Sequence, residues 1–439
     1  MESHANSVED VLIDGLSFKL KNSAKYVTDR RSVTFHPSGS NVYRTTSGTK
    51  VLKIHLTGDS WLVPDSIRLM FSLRNNASDA THKLRPLSGP WSFFRRMRVL
   101  CGGQVVEDFD YNRTHEMMAQ LHSEDTRDND DIEAFGYRYD NANNAGDAST
   151  ASLPGIAGGS VRRVSFKLLS GLFNQPKWLP IRYCPITIEL ELVNSATDPV
   201  VAPDGSDFTS SNTSTDWTIE DCQLKADLCT LDNAVDNQIA DHLLSGKALP
   251  INFQTYITQS QVVSGQSLSV NVSRAVTRLS SIFVSFGGSI ANEVRAKPWN
   301  TFYHPMVHAA AFDPNFELEY QVQIGSKLFP EYPVQSLAEA FAQLRKAVKD
   351  AHGSDFHGLS IKAPRYQQDK YIIAVQTSKL LAAGFTGINT RSGDLMTIKA
   401  KANGGGAFNA AAHMPSEMHV VLESDQILEI RDVGVSVFD

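Results

Sequence analysis

Apolar and polar residues alternate with a period of two along most of the chain. The clearest example is the segment ITIELEL at residues 186–192, where isoleucine and leucine fall on one face and threonine and glutamate on the other. Similar runs occur at residues 51–56, 67–73 and 268–272. A strand with this pattern buries one face and leaves the other in water, so the sequence predicts antiparallel β-sheets.

The pattern changes within residues 91–121, which predict a strand, a glycine turn, a second strand and a helix. Gly102 and Gly103 permit the positive φ that a tight turn requires, and Gln104 begins the second strand. After Asn112 the apolar residues fall at helical spacing, with Glu116 on the opposite side. The apolar helical positions, which we expect to face the core, are Met117, Met118 and Leu121.

The same order of features recurs at residues 322–344, which indicates an internal duplication. A gap-free shift of 223 positions (325 − 102) superimposes Gly102 on Gly325 and Glu116 on Glu339. A repeat this long represents two copies of a domain rather than a solenoid. The residues expected to mark the turn and helix in the two halves are Gly102, Gly103, Gln104, Glu116, Leu121, Gly325, Glu339 and Leu344.

Many short strands, long polar loops and few helices predict an all-β protein. We expect two consecutive antiparallel eight-stranded jelly rolls, with a short helix in each half. The predicted boundaries are residues 1–30 for an N-terminal arm, 31–231 for the first roll, 232–249 for a connector and 250–439 for the second roll. The polar stretch 123–160 is expected to be a long loop.

Composition narrows the classes of function. The 439 residues carry a net charge of −7, and their lysines and arginines form no basic run, which disfavours coating nucleic acid by phosphate contacts. Residues 1–22 lack the apolar centre of a secretory signal, and no apolar run is long enough to span a membrane. The four cysteines (Cys101, Cys184, Cys222 and Cys229) are therefore expected to be buried free thiols.

The sequence contains no phosphate-binding loop, nucleophile elbow, HExxH or CxxC motif, so we expect neither an enzyme nor a cofactor. Pro305 spoils His304 and His308 as a helical metal-ligand pair. The acidic stretch 125–133 could hold Ca²⁺, but it lacks the glycine and final glutamate of a calcium loop, which favours a solvated loop. No metal site is predicted.

Two further features have alternative interpretations. Trp178 with Pro180 could be a surface anchor, although a large aromatic side chain in a sandwich is more often buried. Glu189 and Glu191 lie on one strand face and could be the paired carboxylates of a jelly-roll hydrolase, but a solvated face is favoured.

Three segments together resemble the double jelly-roll major capsid proteins of double-stranded DNA viruses, as found in polinton-like viruses, virophages and large nucleocytoplasmic viruses. They are RRMRVLCGGQVVEDFDYNRTHEMMAQL (95–121), LLSGLFNQPKWLPIRYCPITIELEL (168–192) and MHVVLESDQILEIRDVGVSVFD (418–439). The first looks like the family's strand, Gly-Gly-Gln turn, strand and helix. The second is similar to its Leu-Pro segment before an alternating strand, and the third to its closing strands.

The resemblance implies a structural subunit of a virion, assembled inside the host cell. It implies homotrimers that form pseudo-hexameric capsomers and tile an icosahedral shell with penton and minor or cement proteins. Residues 1–30 could contact an inner membrane, and no sequence-specific binding of nucleic acid is expected. The loops at 123–160, 194–216, 287–315 and 402–412 would form the outward towers.

A receptor-binding or carbohydrate-binding β-sandwich, such as a viral or phage fibre or spike protein, is the alternative. Such a protein would present aromatic platforms in its loops, and Tyr137 and Tyr139 are the best candidates. The loops are otherwise rich in Asp, Asn, Ser, Gly and Ala, which favours the capsid interpretation.

Overall fold

The computed structural model describes residues 26–48, 50–136, 154–203, 208–265, 267–287, 302, 304–305, 317–352, 359, 361–368, 370–380, 385–391, 395–402 and 416–439. Most of residues 1–30, Tyr137, Tyr139, His308 and most of the stretches 287–315 and 402–412 lie outside this set.

Twelve strands precede residue 232 in the described chain. They are β1 (Val27–Phe35), β2 (Val42–Tyr43), β3 (Val51–Leu56), β4 (Trp61–Asn75), β5 (Lys83–Leu84), β6 (Phe94–Cys101), β7 (Gln104–Asp110), β8 (Val161–Phe166), β9 (Leu179–Pro180), β10 (Ile186–Leu192), β11 (Thr213–Ser214) and β12 (Trp217–Leu231). Helices α1 (Tyr111–Gln120) and α2 (Glu124–Glu133) follow β7, and a short 3₁₀ helix (Pro90–Phe93) precedes β6.

The remaining elements begin with helix α3 (Asn233–Leu244). The strands are β13 (Leu249–Val262), β14 (Ser267–Val272), β15 (Leu279–Gly287), β16 (Leu318–Ile324), β17 (Lys327–Val334), β18 (Ile372–Gln376), β19 (Met396–Ala402), β20 (Glu417–Arg431) and β21 (Gly434–Phe438). Helices α4 (Leu337–His352) and α5 (Ala363–Gln368) lie between β17 and β18.

The strand order confirms the predicted double jelly roll. In the first half one sheet has the order β1-β12-β4-β8 and the facing sheet β3-β10-β6-β7. The second half repeats this with β13-β20-β15-β18 and β14-β19-β16-β17, so each position in one half has a counterpart in the other. All pairings within these four sheets are antiparallel, and β21 adds a further strand beside β20.

The hydrophobic cores lie between the facing sheets, as the alternation predicts. In β10 the isoleucines and leucines are buried, while Glu189 and Glu191 face outward and pair with basic side chains. Glu189 binds Lys53 at 3.0 Å, and Glu191 binds Arg95 at 2.7 Å. This strand face is therefore a charged, half-exposed surface.

The described helices number more than the single one predicted for each half. The stretch expected to be a loop at 123–160 begins with α2, and its acidic residues lie on this helix rather than on an ion-binding loop. Ser123 caps the helix by accepting from Thr126 N at 3.4 Å, and Glu124 and Asp125 stabilise its first turn through the helix dipole. The polar composition suggested a loop, but the N-cap and the acidic first turn stabilise a helix here.

The four cysteines are buried free thiols, as expected. The hydrogen bond with Cys184, followed by burial, raises the pKa of the Cys101 thiol well above its ordinary value, which keeps it neutral. Among the described helices, none has the length and apolar character needed to cross a membrane.

Candidate functional site at the junction of the two rolls

Helix α1 lies between the two rolls and is buried on every side. Tyr111 and Ala119 belong to the core of the first roll. The three residues predicted to be its apolar face pack instead into the core of the second roll: Met117, Met118 and Leu121. A helix from one half therefore completes the core of the other half.

The exchange is reciprocal. Four apolar residues of the second half pack into the first-roll core: Ile251, Phe253, Leu428 and Ile430. Val435 and Val437 of β21 pack against the same core from its edge. We use the term junction for helix α1 together with these residues of β13, β20 and β21 and the surfaces of the two rolls that they contact.

Polar side chains of α1 are also buried in the junction, and they bind groups of the second roll. Arg113 Nη2 donates to Ser285 Oγ at 3.2 Å, and Arg113 Nη1 lies 3.7 Å from the carboxylate of Glu417. Burial lowers the pKa of Arg113 to about 10, so the guanidinium still carries its charge at neutral pH. Glu417 is consequently the ion-pair partner of a buried cation.

His419 of β20 forms a second polar contact with α1. Its Nδ1 lies 2.8 Å from Ser260 Oγ, and its Nε2 lies 3.4 Å from Thr114 Oγ1. Burial, and to a smaller extent the charge of Arg113, holds the pKa of His419 well below its ordinary value. The imidazole is therefore neutral in the folded protein and links the two rolls by hydrogen bonds.

The predicted signature residue Glu116 is buried in α1. Its carboxylate accepts from Trp91 Nε1 at 2.9 Å and from Gln120 Nε2. The indole of Trp91 also stacks on the His115 ring with 4.2 Å between centroids. Burial lowers the pKa of His115 well below its ordinary value, so this stack is neutral. Together these contacts fix the orientation of α1 on the first roll.

The predicted glycine turn lies against the second roll. Gly102 and Gly103 have φ of 55° and 85°, and Gln104 begins β7. A Cβ atom at Gly102 would lie 2.9 Å from Cγ2 of Val435 in β21, whereas one at Gly103 would have no neighbour within 4 Å. Gly102 therefore serves both the turn and the close approach of β21.

The second turn has the same backbone form. Gly325 has φ of 60° and connects β16 to β17. However, α1 begins nine residues after Gly102 and α4 begins twelve residues after Gly325. The gap-free superposition therefore fits the turns but is displaced by three residues in the helices.

The displacement gives the paired helical residues different environments. Glu339 lies in the first turn of α4, where its carboxylate accepts from Gln335 N at 3.2 Å and its own N–H donates to Ser336 Oγ at 3.1 Å. It caps a helix, whereas Glu116 is a buried acceptor. Leu121 follows α1, and Leu344 lies within α4 in the second-roll core.

Trp178 is half-buried, and Pro180 is buried in β9, where it pairs with Trp61 of β4. His304 is buried against Tyr371 with 4.2 Å between ring centroids, and burial lowers its pKa to about 3. Among the described residues, no group of His, Cys, Asp or Glu is arranged to hold a metal ion.

Sequence reasoning missed Glu107, which is fully buried on β7. Its Oε1 accepts from Gly171 N at 2.8 Å and from Thr255 Oγ1 of β13 at 3.3 Å, and its Oε2 accepts from Ser170 Oγ. Burial outweighs these hydrogen bonds and raises the pKa of Glu107 to about 7. An acidic residue at a position of the strand that alternation assigns to the core was the available signal.

No protein-family model matches the sequence, and no curated protein matches it. Solved structures match it along nearly the whole chain. PBCV-1 VP54, fitted into a reconstruction of the virophage Sputnik, has a TM-score of 0.63 and 10% identity, covering 96% of this chain and 98% of its own.

A chain of the PBCV-1 virus capsid has a TM-score of 0.60 and 11% identity, covering 96% of this chain and 98% of its own. The Faustovirus major capsid protein has a TM-score of 0.56 and 8% identity, covering 94% and 92%. At these identities the likeness establishes the fold. The resemblance noted in the sequence is thus confirmed at the level of the fold.

Proposed function

We propose that this chain is a major capsid protein, a structural subunit that assembles with copies of itself into the icosahedral shell of a DNA virus. The observation that carries the proposal is the match to the Faustovirus major capsid protein and to the PBCV-1 capsid chain over more than nine-tenths of the sequence. A single jelly roll serves many functions, but a match of two consecutive rolls with their connection is far more specific.

We further propose that three chains form each capsomer, because the chain satisfies only one of two equivalent contacts. Within the chain, β7 at the edge of the first roll packs against β13. Phe109 and Tyr256 lie 5.8 Å apart between ring centroids, and Asp110 N donates to Thr258 Oγ1 at 3.0 Å. By strand order, the counterpart of β7 is β17, and the counterpart of β13 is β1.

Both counterparts are exposed. On β17, Leu328 and Tyr332 are 41% and 78% exposed, and most residues of β1 are exposed as well. If β17 of one copy packs against β1 of the next, the contact within the chain is repeated between chains. Such a head-to-tail contact closes into a ring when its rotation permits, and six rolls from three chains give a pseudo-hexagonal outline.

Light scattering on the purified protein, followed by negative-stain imaging, tests this proposal. We expect a particle of three times the 48.3 kDa chain mass with a near-hexagonal outline. Tyr332→Asp should shift the protein toward monomer, because it places a charge in the β17 contact. Ile132→Asp, at a residue 75% exposed on α2, is the matched control and should leave the trimer intact. A wild-type protein that remains monomeric at micromolar concentration contradicts the trimer.

The remaining partners are proposed on the same basis. Penton and minor or cement proteins would complete the shell, and residues 1–30 would face inner proteins or a membrane. Flotation of the protein with liposomes, compared with a variant lacking residues 1–25, tests the membrane contact. Equal flotation of the two proteins would assign the contact, if any, to another surface.

A further inference from the structure

Glu107 is a buried acidic residue of β7 that contacts both rolls at the junction. Segment 170–172 of the first roll covers its carboxyl group and binds it through Ser170 and Gly171. Strand β13 of the second roll binds it through Thr255. Its hydrogen-bond partners are neutral: the hydroxyls of Ser170 and Thr255 and the backbone N–H group of Gly171. Among the residues that the structure describes, the groups that bind Glu107 are all neutral donors, so the charge of an ionised carboxylate here is only partly compensated.

The protonated and ionised carboxyl groups place different demands on the same cavity. When protonated, Glu107 can donate to Ser170 Oγ, which also accepts from Phe173 N at 3.3 Å, and Oε1 keeps its two donors. When ionised, the carboxylate gains stability by contact with water, and its two oxygen atoms, which are covered by segment 170–172 and by Thr255 of β13, become accessible when these two parts separate. Burial acts against the charged form and raises the pKa of the group to about 7.

We propose that Glu107 makes the junction proton-dependent: the protonated carboxyl group holds segment 170–172 against β13, and the carboxylate loosens this contact. The two rolls are then joined firmly in mildly acidic solution and less firmly above neutral pH. The proposal concerns the chain itself and goes beyond its role in a shell.

The titratable neighbours of Glu107 do not compensate its charge. Cys101 on β6, Tyr111 on α1 and Tyr256 on β13 all face it, and burial raises the pKa of each above its ordinary value. These groups therefore stay neutral from about pH 5 to about pH 8. The carboxylate of Glu423 on β20 contributes to the raised pKa of Tyr256.

Two of the arginines near Glu107 are paired with other carboxylates. A groove of about 510 Å³ beside Glu107 is also lined by Arg95, Arg96, Arg274 and Asp439. Arg95 binds Glu191 at 2.7 Å, and Arg96 forms two bonds of 2.6 Å with Asp108. Arg274 and Asp439 bring opposite charges to the groove.

The sign of the pH effect follows from the raised pKa. Between about pH 4.5, the ordinary value, and about pH 7, the folded chain binds a proton that the unfolded chain has released. The stabilising contribution of Glu107 is therefore complete below about pH 4.5 and is lost as the pH rises to about 7. The corresponding change in the opening equilibrium is on the order of 100-fold.

Hydrogen exchange at the amides of residues 171 and 172 tests the proposal, because Gly171 N–H donates to Glu107 and both amides lie in the segment that covers it. Exchange is measured by mass spectrometry from about pH 5 to about pH 8 in wild type and in Glu107→Gln, whose side chain stays neutral. The ratio of wild-type to variant rates cancels the intrinsic pH dependence of exchange. We expect this ratio to rise on the order of 100-fold across the range.

Two more variants keep the result interpretable. Thr255→Val removes one donor to the carboxylate with little change in shape and so raises the pKa of Glu107 further; the rise in the exchange ratio should therefore extend to higher pH than in wild type. Glu189→Gln, on the outward face of β10, should reproduce the wild-type profile. A ratio that stays flat, or a Thr255→Val profile unchanged from wild type, overturns the proposal. Because the exchange is measured within one chain, this outcome is independent of whether the protein forms trimers.

Discussion

Gly171 offers the most direct test of the junction, because a single methyl group there meets backbone rather than a side chain. A Cβ atom at Gly171 would lie 1.4 Å from the carbonyl oxygen of Gln254 and 2.6 Å from its carbonyl carbon. Real Cβ contacts are not shorter than 3.0 Å, so the two backbones must separate by at least 1.6 Å (3.0 − 1.4). Gly171→Ala therefore has to displace segment 170–172 from β13.

The cost has two parts. Overpacking a rigid contact costs about 1–3 kcal/mol, and breaking the bond from Gly171 N to the buried Glu107 adds about 1–3 kcal/mol. We expect Gly171→Ala to lower the free energy of unfolding by about 3 kcal/mol or more, a large part of the total of about 5–15 kcal/mol.

Urea denaturation, followed by tryptophan fluorescence, measures this change. Gly48→Ala is the control, because a Cβ atom at Gly48 has no neighbour within 4 Å, and it should alter stability by less than about 1 kcal/mol. The two variants unfolding at the same urea concentration would refute the reasoning. It would mean that the segment closing over Glu107 is free to move without cost.

Three further predictions concern the turn, a buried histidine and the connector. Gly102→Ala should destabilise the protein by about 1 kcal/mol more than Gly103→Ala in denaturant melts, since only the former contacts Val435, and Val435→Ala should abolish the difference. Burial lowers the pKa of His419, so the stability that its neutral form contributes should be lost as the pH drops below about 6.5; the melting temperature of wild type should therefore decrease relative to that of His419→Gln over this range, and a constant difference would contradict it. Limited proteolysis within 232–249, the proposed connector, should give two fragments that elute together on gel filtration, and fragments that separate would argue against a shared core.

The strands and turns were predictable because their signals are local. Alternation at residues 186–192 depends only on which face of a strand is buried, and glycine at 102, 103 and 325 reflects the φ of the turn itself. The repeated order of strand, turn and helix also indicated that the fold contains two copies of one domain. Alternation, turn glycines and the repeat can all be recognised without knowing any tertiary contact.

The junction was not predictable in the same way. Met117 and Met118 were expected to face a core, but helical spacing does not specify which of two cores receives them. Alternation places Glu107 on the core side of β7, but its hydrogen-bond partners in segment 170–172 and β13 are distant in sequence and could not be predicted. Glu116 and Glu339 match in a gap-free alignment, yet a three-residue displacement gives one a buried role and the other a helix cap.

Because the rolls exchange core residues, the first roll cannot complete its core until the end of the chain has been synthesised. The ribosome completes all twelve strands of the first half long before it adds Leu428, Ile430 and Val435, which cover the core of that half. A nascent first roll therefore emerges with part of its apolar interior open to water. Messages truncated before codon 249, which encode the first half without β13 and β20, should consequently yield aggregation-prone, protease-sensitive chains rather than a stable single roll.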